Sequence, residues 1–468
     1  MAAVELLPFE MRERICELVG HIPERSLDYL IKRFDPINDG TSPYLLHHEH
    51  PAPKYPRAYS SAYSDLRALS LACKAFVEPS QRVLLETTVV RGSFGIVRLL
   101  QMLLLHPKRR TYVRRLAFSR RDSGDQWDLR WFLRLLAVPC QSTHLLDSLQ
   151  HRDQFYEVIR ALAAKIGSSF LWEPYRSRWR RVFRELPLVS HDALCDYVLR
   201  SVVQLCPLIQ EIGLSYAHGP FLDWGHQLNL PRSPREVLFF FPFAHLESLA
   251  LDVATLDCHK SLFAHKPFAY TQPNYPNVKS IALYGSSKGY YELRLSELRL
   301  WLLPFKGLRE LRLLRGCVQD IPLFTWDPEE DPDNQNPRLN WNEVLVTLKD
   351  TLEVLEVEGK VFGHITRISQ SHMATCFGLT QRLVCLPELT KLKYLRAPLY
   401  MLRGEIERVH WPRGDRWDAQ AVLELIMTGL PPSLKTMDVL VVTEWREGEM
   451  ADLGTRRIVA SESVRVDL

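Results

Sequence analysis

Residues 308–313 read LRELRL, a hexapeptide of the form Leu-x-x-Leu-x-Leu. Its last two apolar positions alternate with polar ones, which is the pattern of a strand with one buried and one open face. If any apolar residue is allowed at the three positions, the form occurs seven more times: VRRLAF (113–118), IQEIGL (209–214), LESLAL (246–251), VKSIAL (278–283), LEVLEV (352–357), LKYLRA (392–397) and LKTMDV (434–439). In the second half of the chain successive copies are roughly 30 to 45 residues apart, a spacing typical of solenoid repeats.

Helix-like segments lie between the copies. Residues 192–206, 340–350 and 418–430 carry apolar side chains at helical spacing, and Gly429 is placed to end the last of them. A single unit of helix, turn and strand cannot bury its own apolar face, whereas stacked units can. We therefore predict an α/β fold in which stacked units form a curved array with a parallel sheet on one side.

A possible catalytic motif follows one copy. Residues 285–289, GSSKG, match G-x-S-x-G, and they stand between a predicted strand and a helix-like run, as the nucleophile of a hydrolase does. The preceding strand, however, is one of eight similar strands, and no downstream histidine lies in a recognisable catalytic context. We interpret Ser287 as part of a loop that leaves an array strand, and we predict that the protein is not an enzyme.

The N-terminal region is predicted to be helical. Residues 6–19 place Pro8 at the first helical position and carry an apolar stripe that begins at Met11. Residues 65–77 form a second predicted helix, capped by Asp65 and apolar over more than one face. Such a helix contacts its own domain and something else besides. A third helix starting near Pro79 leads into a strand, TTVV.

These segments together resemble an F-box, a motif of roughly 45 residues that begins with Leu-Pro-x-Glu and has a second half of the form Asp-Leu-x-x-Leu-Ser-x-x-Cys-Lys-x-Phe. The residues that match are Leu7, Pro8, Glu10, Asp65, Leu66, Leu69, Ser70, Cys73, Lys74 and Phe76. Residues 96–118 resemble the helix-plus-strand unit that often follows the motif in F-box proteins with leucine-rich-type repeats. By this resemblance, the array is a leucine-rich-repeat-like solenoid with its parallel sheet on the concave side.

The resemblance implies a substrate receptor of Skp–cullin–F-box (SCF) ubiquitin ligases, with a Skp-type adaptor, a cullin and an unknown protein substrate as partners. The adaptor would dock on Leu7, Pro8, Ile15, Leu66, Leu69, Leu71, Cys73 and Phe76. The substrate would bind side chains on the open face of the array: Asp252, Tyr284, Glu310, Arg312, Glu356, Glu358, Tyr394, Arg396 and Asp438. Two alternatives stay open. The helices could simply cap the array, and the array could be a scaffold without a role in ubiquitin transfer.

The predicted domain organisation follows from these assignments. Residues 1–90 form the F-box module, in which residues 22–64 replace a normally short link with a long surface loop. Residues 91–440 form the array, which is interrupted by a helical insertion at 119–190, and residues 441–468 are a C-terminal tail or cap. Because the free energy of loop closure grows by only about 0.6 kcal/mol per doubling of loop length, the three helices can still pack together.

Composition narrows the remaining functional classes. The net charge is +4, and the nine cysteines include no C-x-x-C pair, so we predict reduced thiols, no cofactor, and a location in the cytoplasm, the nucleus or both. No apolar run is long enough for a membrane helix, and no membrane partner is expected. The cluster at 47–50 (HHEH) could bind a metal, and the basic stretches 108–115 and 176–184 could contact nucleic acid. We interpret all three as ordinary surface segments and predict no metal and no nucleic-acid partner.

Overall fold

The structure is a computed structural model that describes residues 7–20, 57–119, 198–199, 201–215, 245–252, 276–284, 293–303, 305–314, 317–319, 341–358, 382–403, 429–445 and 457–467. The chain divides into two compact units, Met1–Leu246 and Glu247–Leu468. Both combine helices with parallel strands, so the predicted α/β class is confirmed at this level. None of the described helices is both long and apolar enough to cross a bilayer.

The first unit begins with helices α1 (Phe9–Val19), α2 (Arg57–Ala72) and α3 (Val77–Glu86), with a short 3-10 helix (Lys74–Phe76) before α3. Helix α2 starts eight residues before the predicted start at Asp65, because residues 57–64 contain no Gly or Pro to stop it. The predicted loop therefore ends earlier than residue 64. The predicted helix 65–77 is interrupted at Cys73, whose backbone is extended (φ −150°, ψ 129°).

Three parallel strands follow in this unit: β1 (Thr87–Arg91), β2 (Arg115–Ser119) and β3 (Glu211–Ser215). Strand β2 lies between the other two, and its Leu116 is in register with Thr88 and Ile212. Helix α4 (Gly92–Leu105) and a 3-10 helix (Pro107–Thr111) connect β1 to β2. Helical residues 201–205 precede β3, as predicted for 192–206. The predicted insertion at 119–190 lies outside the described residues, apart from Ser119.

The second unit contains one main sheet with the strand order β4-β5-β7-β9-β10-β11-β12, and a small sheet of β6 and β8. Its strands are β4 (Ser248–Asp252), β5 (Ser280–Tyr284), β6 (Leu293–Arg294), β7 (Glu310–Leu314), β8 (Val318–Gln319), β9 (Val354–Val357), β10 (Tyr394–Pro398), β11 (Thr436–Trp445) and β12 (Arg457–Asp467). Its helices are α5 (Leu295–Leu302), α6 (Trp341–Val346), α7 (Leu399–Arg403) and a 3-10 helix (Leu386–Glu388). Each described strand pair of this unit is parallel except β11 with β12.

The eight hexapeptides are all strands, and each strand begins at the third residue of its copy. The first, fourth and sixth residues of every copy are buried; in LRELRL these are Leu308, Leu311 and Leu313. The prediction of eight strands with a buried apolar face is thus confirmed. In four of the copies a small fifth residue, on the other face of the strand, is buried as well: Ala117, Gly213, Ala250 and Ala282. The apolar positions lie on one face of each strand and form the core against the neighbouring helices and turns.

A repeated hydrogen-bond arrangement joins the strands where they begin. The carbonyl of Lys279 accepts from the backbone N–H groups of Arg309 and Glu310, both at 2.8 Å. The carbonyl of Arg309 accepts in the same way from Glu353 at 2.7 Å and from Val354 at 2.9 Å. The second residue of one copy therefore fixes the start of the next strand, which keeps successive copies in the same register.

The C-terminal segment is partly a strand. Strand β12 pairs antiparallel with β11 and covers its outer edge. Strand β11 continues to Trp445, so the predicted boundary at residue 440 falls inside it. The physical reason is the sequence LVVTEW after the last hexapeptide, which is rich in β-branched residues that favour a longer strand.

Candidate partner-binding surfaces

The three N-terminal helices close around a small core of their own. Cys16, Leu66 and Phe76 are buried at its centre, and Ile15, Leu69, Cys73, Val83 and Leu84 pack against them. Gly20 ends α1 beside α2, and a Cβ atom there would lie 2.5 Å from Cδ1 of Leu66. Any larger residue there would therefore require the Leu66 side chain to shift within the core.

Polar bonds hold the same helices together. Arg12 Nη1 donates to the carbonyl of Ala75 at 3.0 Å, and Arg82 Nε forms an ion pair with Glu13 Oε1 at 3.0 Å. The Cys16 Sγ and Ser80 Oγ atoms are 3.4 Å apart in the interior. Burial raises the pKa of the Cys16 thiol, which keeps it protonated and unreactive. We conclude that Cys16 has a packing role.

The predicted adaptor residues differ in their exposure. Leu66 and Phe76 are buried in the module's own core, where their side chains are not accessible to a partner. Both side chains point inward, because the three helices pack around them. Ile15, Leu69 and Cys73 are partly buried against that core. Leu7 is half-buried, whereas Pro8 and Leu71 are exposed, with 78% of Leu71 accessible.

An exposed apolar set remains on the outside of α1 and α2. Five of the eight large hydrophobic residues exposed in the described part of the chain belong to it: Met11, Leu18, Val19, Tyr63 and Leu71. We call these five residues the helical apolar surface. Met11 and Leu18 were recognisable from the sequence as part of the α1 stripe, but the pattern could not show which members of that stripe enter the core.

On the open face of the second unit, five charged residues form a row across neighbouring strands. Arg312, Glu356, Arg396, Asp438 and Arg465 occupy equivalent positions on the adjacent strands β7, β9, β10, β11 and β12. Their signs alternate strictly from strand to strand. Arg312 Nε lies 3.3 Å from Glu356 Oε1, and the guanidinium of Arg312 also reaches Glu310 at 3.3 Å. We call this row the charge ladder.

Further bonds connect the ladder to its surroundings. Arg396 Nη2 lies 3.0 Å from Glu358 Oε1, and the Tyr394 hydroxyl donates to Asp438 Oδ2 at 2.6 Å. Burial, followed by the hydrogen bond to the Asp438 carboxylate, raises the pKa of Tyr394. The tyrosine therefore stays neutral over the physiological range and acts as a donor to a fixed carboxylate.

The open face is not uniformly accessible. Tyr284, which is predicted to line the open face, is buried, as are Leu314 and Leu440 at the same seventh position of their copies. Glu356 is only 7% exposed because its neighbours in the ladder cover it. Asp252 is in register with Tyr284 at the end of β4. The other six predicted residues are partly exposed: Glu310, Arg312, Glu358, Tyr394, Arg396 and Asp438.

Three of the four alternative functional motifs lie outside the described residues: Ser287, the cluster at 47–50 and the basic stretch 176–184. In the other basic stretch, Arg109 Nη2 donates to Gln81 Oε1 at 2.8 Å and Arg110 Nε to the carbonyl of Leu103 at 2.9 Å. These guanidinium groups therefore bond the protein itself. Within the described residues, no three His, Cys, Asp or Glu side chains are grouped to hold a metal ion.

Comparison with known proteins gives no match: no family model fits the chain, and no curated protein or solved structure is significantly similar to it.

Proposed function

We propose that this protein is the substrate-recognition subunit of an SCF-type ubiquitin ligase, in the cytoplasm, the nucleus or both. The three N-terminal helices dock a Skp-type adaptor, which connects them to a cullin, and the repeat array binds the protein substrate as a curved solenoid. One observation carries the proposal. The helical apolar surface lies on a module that already has a closed core of its own.

The physical case for a partner rests on that separation between core and surface. Burying one Leu or Met side chain is worth about 1.5–3 kcal/mol, and exposed apolar clusters commonly mark interaction sites. Leu71 is 78% exposed and Leu18 64% exposed, although Leu66 on the same helix as Leu71 is fully used in the core. A partner that covers the helical apolar surface would bury what the module leaves in water.

The array supports the second half of the proposal. Its open face presents polar side chains from consecutive parallel strands, held at fixed spacing by a shared register. A rigid surface of this kind suits recognition of another protein. The alternative is a scaffold that binds a partner through the same face without directing ubiquitin transfer. The residues of the array are compatible with both roles, so binding of the adaptor is the property that distinguishes a ligase subunit from a scaffold.

The decisive experiment is co-purification of the full chain with a Skp-type adaptor and a cullin. We expect Leu18→Ala with Leu71→Ala to abolish co-purification, because truncating an apolar anchor at an interface commonly costs about 2 kcal/mol or more. Leu105→Ala is the matched control, since Leu105 is 63% exposed but lies on α4, outside the three helices.

Three outcomes are distinguished. Co-purification of the parent and the control, lost in the double variant, supports the ligase role. A parent chain that captures neither adaptor nor cullin would favour the scaffold. Equal capture by the parent and the double variant would show that the adaptor binds elsewhere.

A further inference from the structure

The turns that lead into the strands of the second unit form an edge with its own charge pattern. The second residue of each hexapeptide stands there, directly before its strand. From β4 to β11, in strand order, these residues are Glu247, Lys279, Arg309, Glu353, Lys393 and Lys435. The row contains four cations and two anions, and the four cations are exposed. We call Lys279, Arg309, Lys393 and Lys435 the basic edge.

The basic edge places like charges side by side. The backbone N–H of Arg309 donates to the carbonyl of Lys279 at 2.8 Å, and that of Lys435 to the carbonyl of Lys393 at 2.9 Å. The two members of each pair therefore stand on adjacent strands, about 4.8 Å apart. Like charges directly opposite each other destabilise a sheet. The charge ladder avoids this arrangement completely, whereas the basic edge contains it twice.

Acidic residues of the protein itself neutralise only part of the positive charge of the basic edge. Glu353, between the two doublets, lies 2.6 Å from Lys393 and 3.7 Å from Arg309, so one carboxylate serves two cations. Lys279 pairs with Glu247 at 3.4 Å. Lys435 has no ion pair with the described residues. The same turns add the exposed residues Lys306, Lys349, Lys391, Asp350 and Glu388, which bring three more positive and two more negative charges.

We propose that the basic edge docks an acidic polypeptide segment, with one carboxylate or carboxylate pair bridging Lys279 and Arg309 and another bridging Lys393 and Lys435. The assignment of this segment to the substrate rests on the proposed function. The centres of the two doublets are three strand spacings apart, about 14 Å. An extended segment spans that distance in about four residues at roughly 3.4 Å each. The partner chemistry is therefore two acidic positions about four residues apart.

The same pattern favours a polypeptide over a nucleic acid. Glu353 stands between the doublets and Glu247 beside the first, where they would repel a continuous row of phosphates. A peptide can instead place neutral residues opposite them. Three of the four cations are lysines, which act as point charges towards carboxylates. Single-stranded nucleic acid binding also relies on aromatic stacking platforms, and no aromatic residue belongs to this row.

The test is fluorescence anisotropy of the full chain with a Gly/Ser peptide of about 14 residues that carries two Glu-Glu pairs about four residues apart and an uncharged dye. We expect the parent chain to bind the peptide at about 50 mM salt and to release it at about 500 mM salt. The double variant Lys279→Gln with Lys435→Gln should bind about fivefold or more weakly at the lower salt concentration. Lys74→Gln with Lys108→Gln is the matched control, because both lysines are exposed in the first unit. The edge variant should keep the parental thermal midpoint, since it relieves like-charge repulsion.

The outcomes separate this inference from the ligase proposal. Absence of peptide binding by the parent, or equal weakening in both lysine variants, would overturn it. Tighter binding of a single-stranded RNA of equal charge than of the peptide would assign the edge to nucleic acid and overturn it as well. The edge variant should still co-purify with the adaptor. If the parent chain binds the peptide but not the adaptor, only the ligase role is refuted.

Discussion

Glu356 is the only charged residue buried in the described part of the chain. It stands in register between Arg312 and Arg396, with Arg312 Nε 3.3 Å from its carboxylate. A buried carboxylate is tolerated only where paired cations offset the loss of hydration. The charge ladder therefore contributes to the packing of the sheet, because Glu356 joins β7 to β9 through its ion pair with Arg312.

Replacing that acid tests the ladder. We expect Glu356→Gln to lower the free energy of unfolding by about 2 kcal/mol or more, since it removes the buried carboxylate between two arginines and leaves them only their more exposed partners, Glu310 and Glu358. Glu310→Gln removes a more exposed carboxylate that also pairs with Arg312, and it should cost less than about 1 kcal/mol. Urea unfolding of the three proteins measures both differences. Equal losses in the two variants would mean that burial does not matter at Glu356.

Tyr394 makes a second prediction at this scale. Its pKa in the folded protein is raised above 10.0, chiefly by burial and then by the bond to Asp438. A raised pKa gives stability that is complete below pH 10 and is lost as the pH rises further, because the unfolded tyrosine ionises first. At pH 8, Tyr394→Phe should cost about 1 kcal/mol for the lost hydrogen bond. Unfolding between pH 8 and pH 11 should show this difference shrink above pH 10; a constant difference would contradict the shift.

At the scale of elements, the hexapeptide pattern predicted all eight strands and their buried positions, because burial of one face and a two-residue period are local properties. It did not predict what covers the other face. Tyr284, Leu314 and Leu440 all follow the sixth position of their copies, and an apolar residue at this seventh position was a usable signal for burial on the open face.

The N-terminal helices show the same difference between what the sequence could and could not predict. A stripe of apolar residues on a helix reveals a buried side, but not whether its own module or another protein buries it. Leu66 and Phe76 were assigned to a partner and belong to the core. Leu71 lies off the stripe, and this position distinguished it in the sequence. The strand pattern was predictable for a further reason: each unit is repeated, so one hexapeptide explains the others.

The strand assignment carries its own stability prediction. Leu283 is fully buried in β5, and Leu283→Ala should lower the free energy of unfolding by about 2–5 kcal/mol. Leu303→Ala, at an exposed position just after α5, should change it by less than about 0.5 kcal/mol. Thermal or urea unfolding compares the two leucines directly. A small effect of Leu283→Ala would contradict its placement in the core of the sheet.

At the scale of the whole molecule, distant parts of the sequence close one small core. Helix α1 ends at Val19 and helix α2 begins at Arg57, yet Cys16 and Leu66 pack in the same cluster. The predicted loop accounts for this separation, and its residues 22–56 lie outside the described part of the chain. The packing of the two helices is complete in itself, with Gly20 already against Leu66.

That completeness predicts the result of shortening the link. Deleting about 30 residues from 22–56 and joining the ends with a flexible Gly/Ser linker should leave the thermal midpoint nearly unchanged. Shortening the loop reduces the cost of closing it by about 0.6 kcal/mol per halving, so any shift should be a small increase. Leu66→Ala in the same background should instead destabilise the helices by about 2–5 kcal/mol, because it opens their core. A large loss of stability on deletion alone would show that the link packs into the structure. If the deletion keeps its stability but no longer co-purifies with the adaptor that the parent captures, the link belongs to the docking surface.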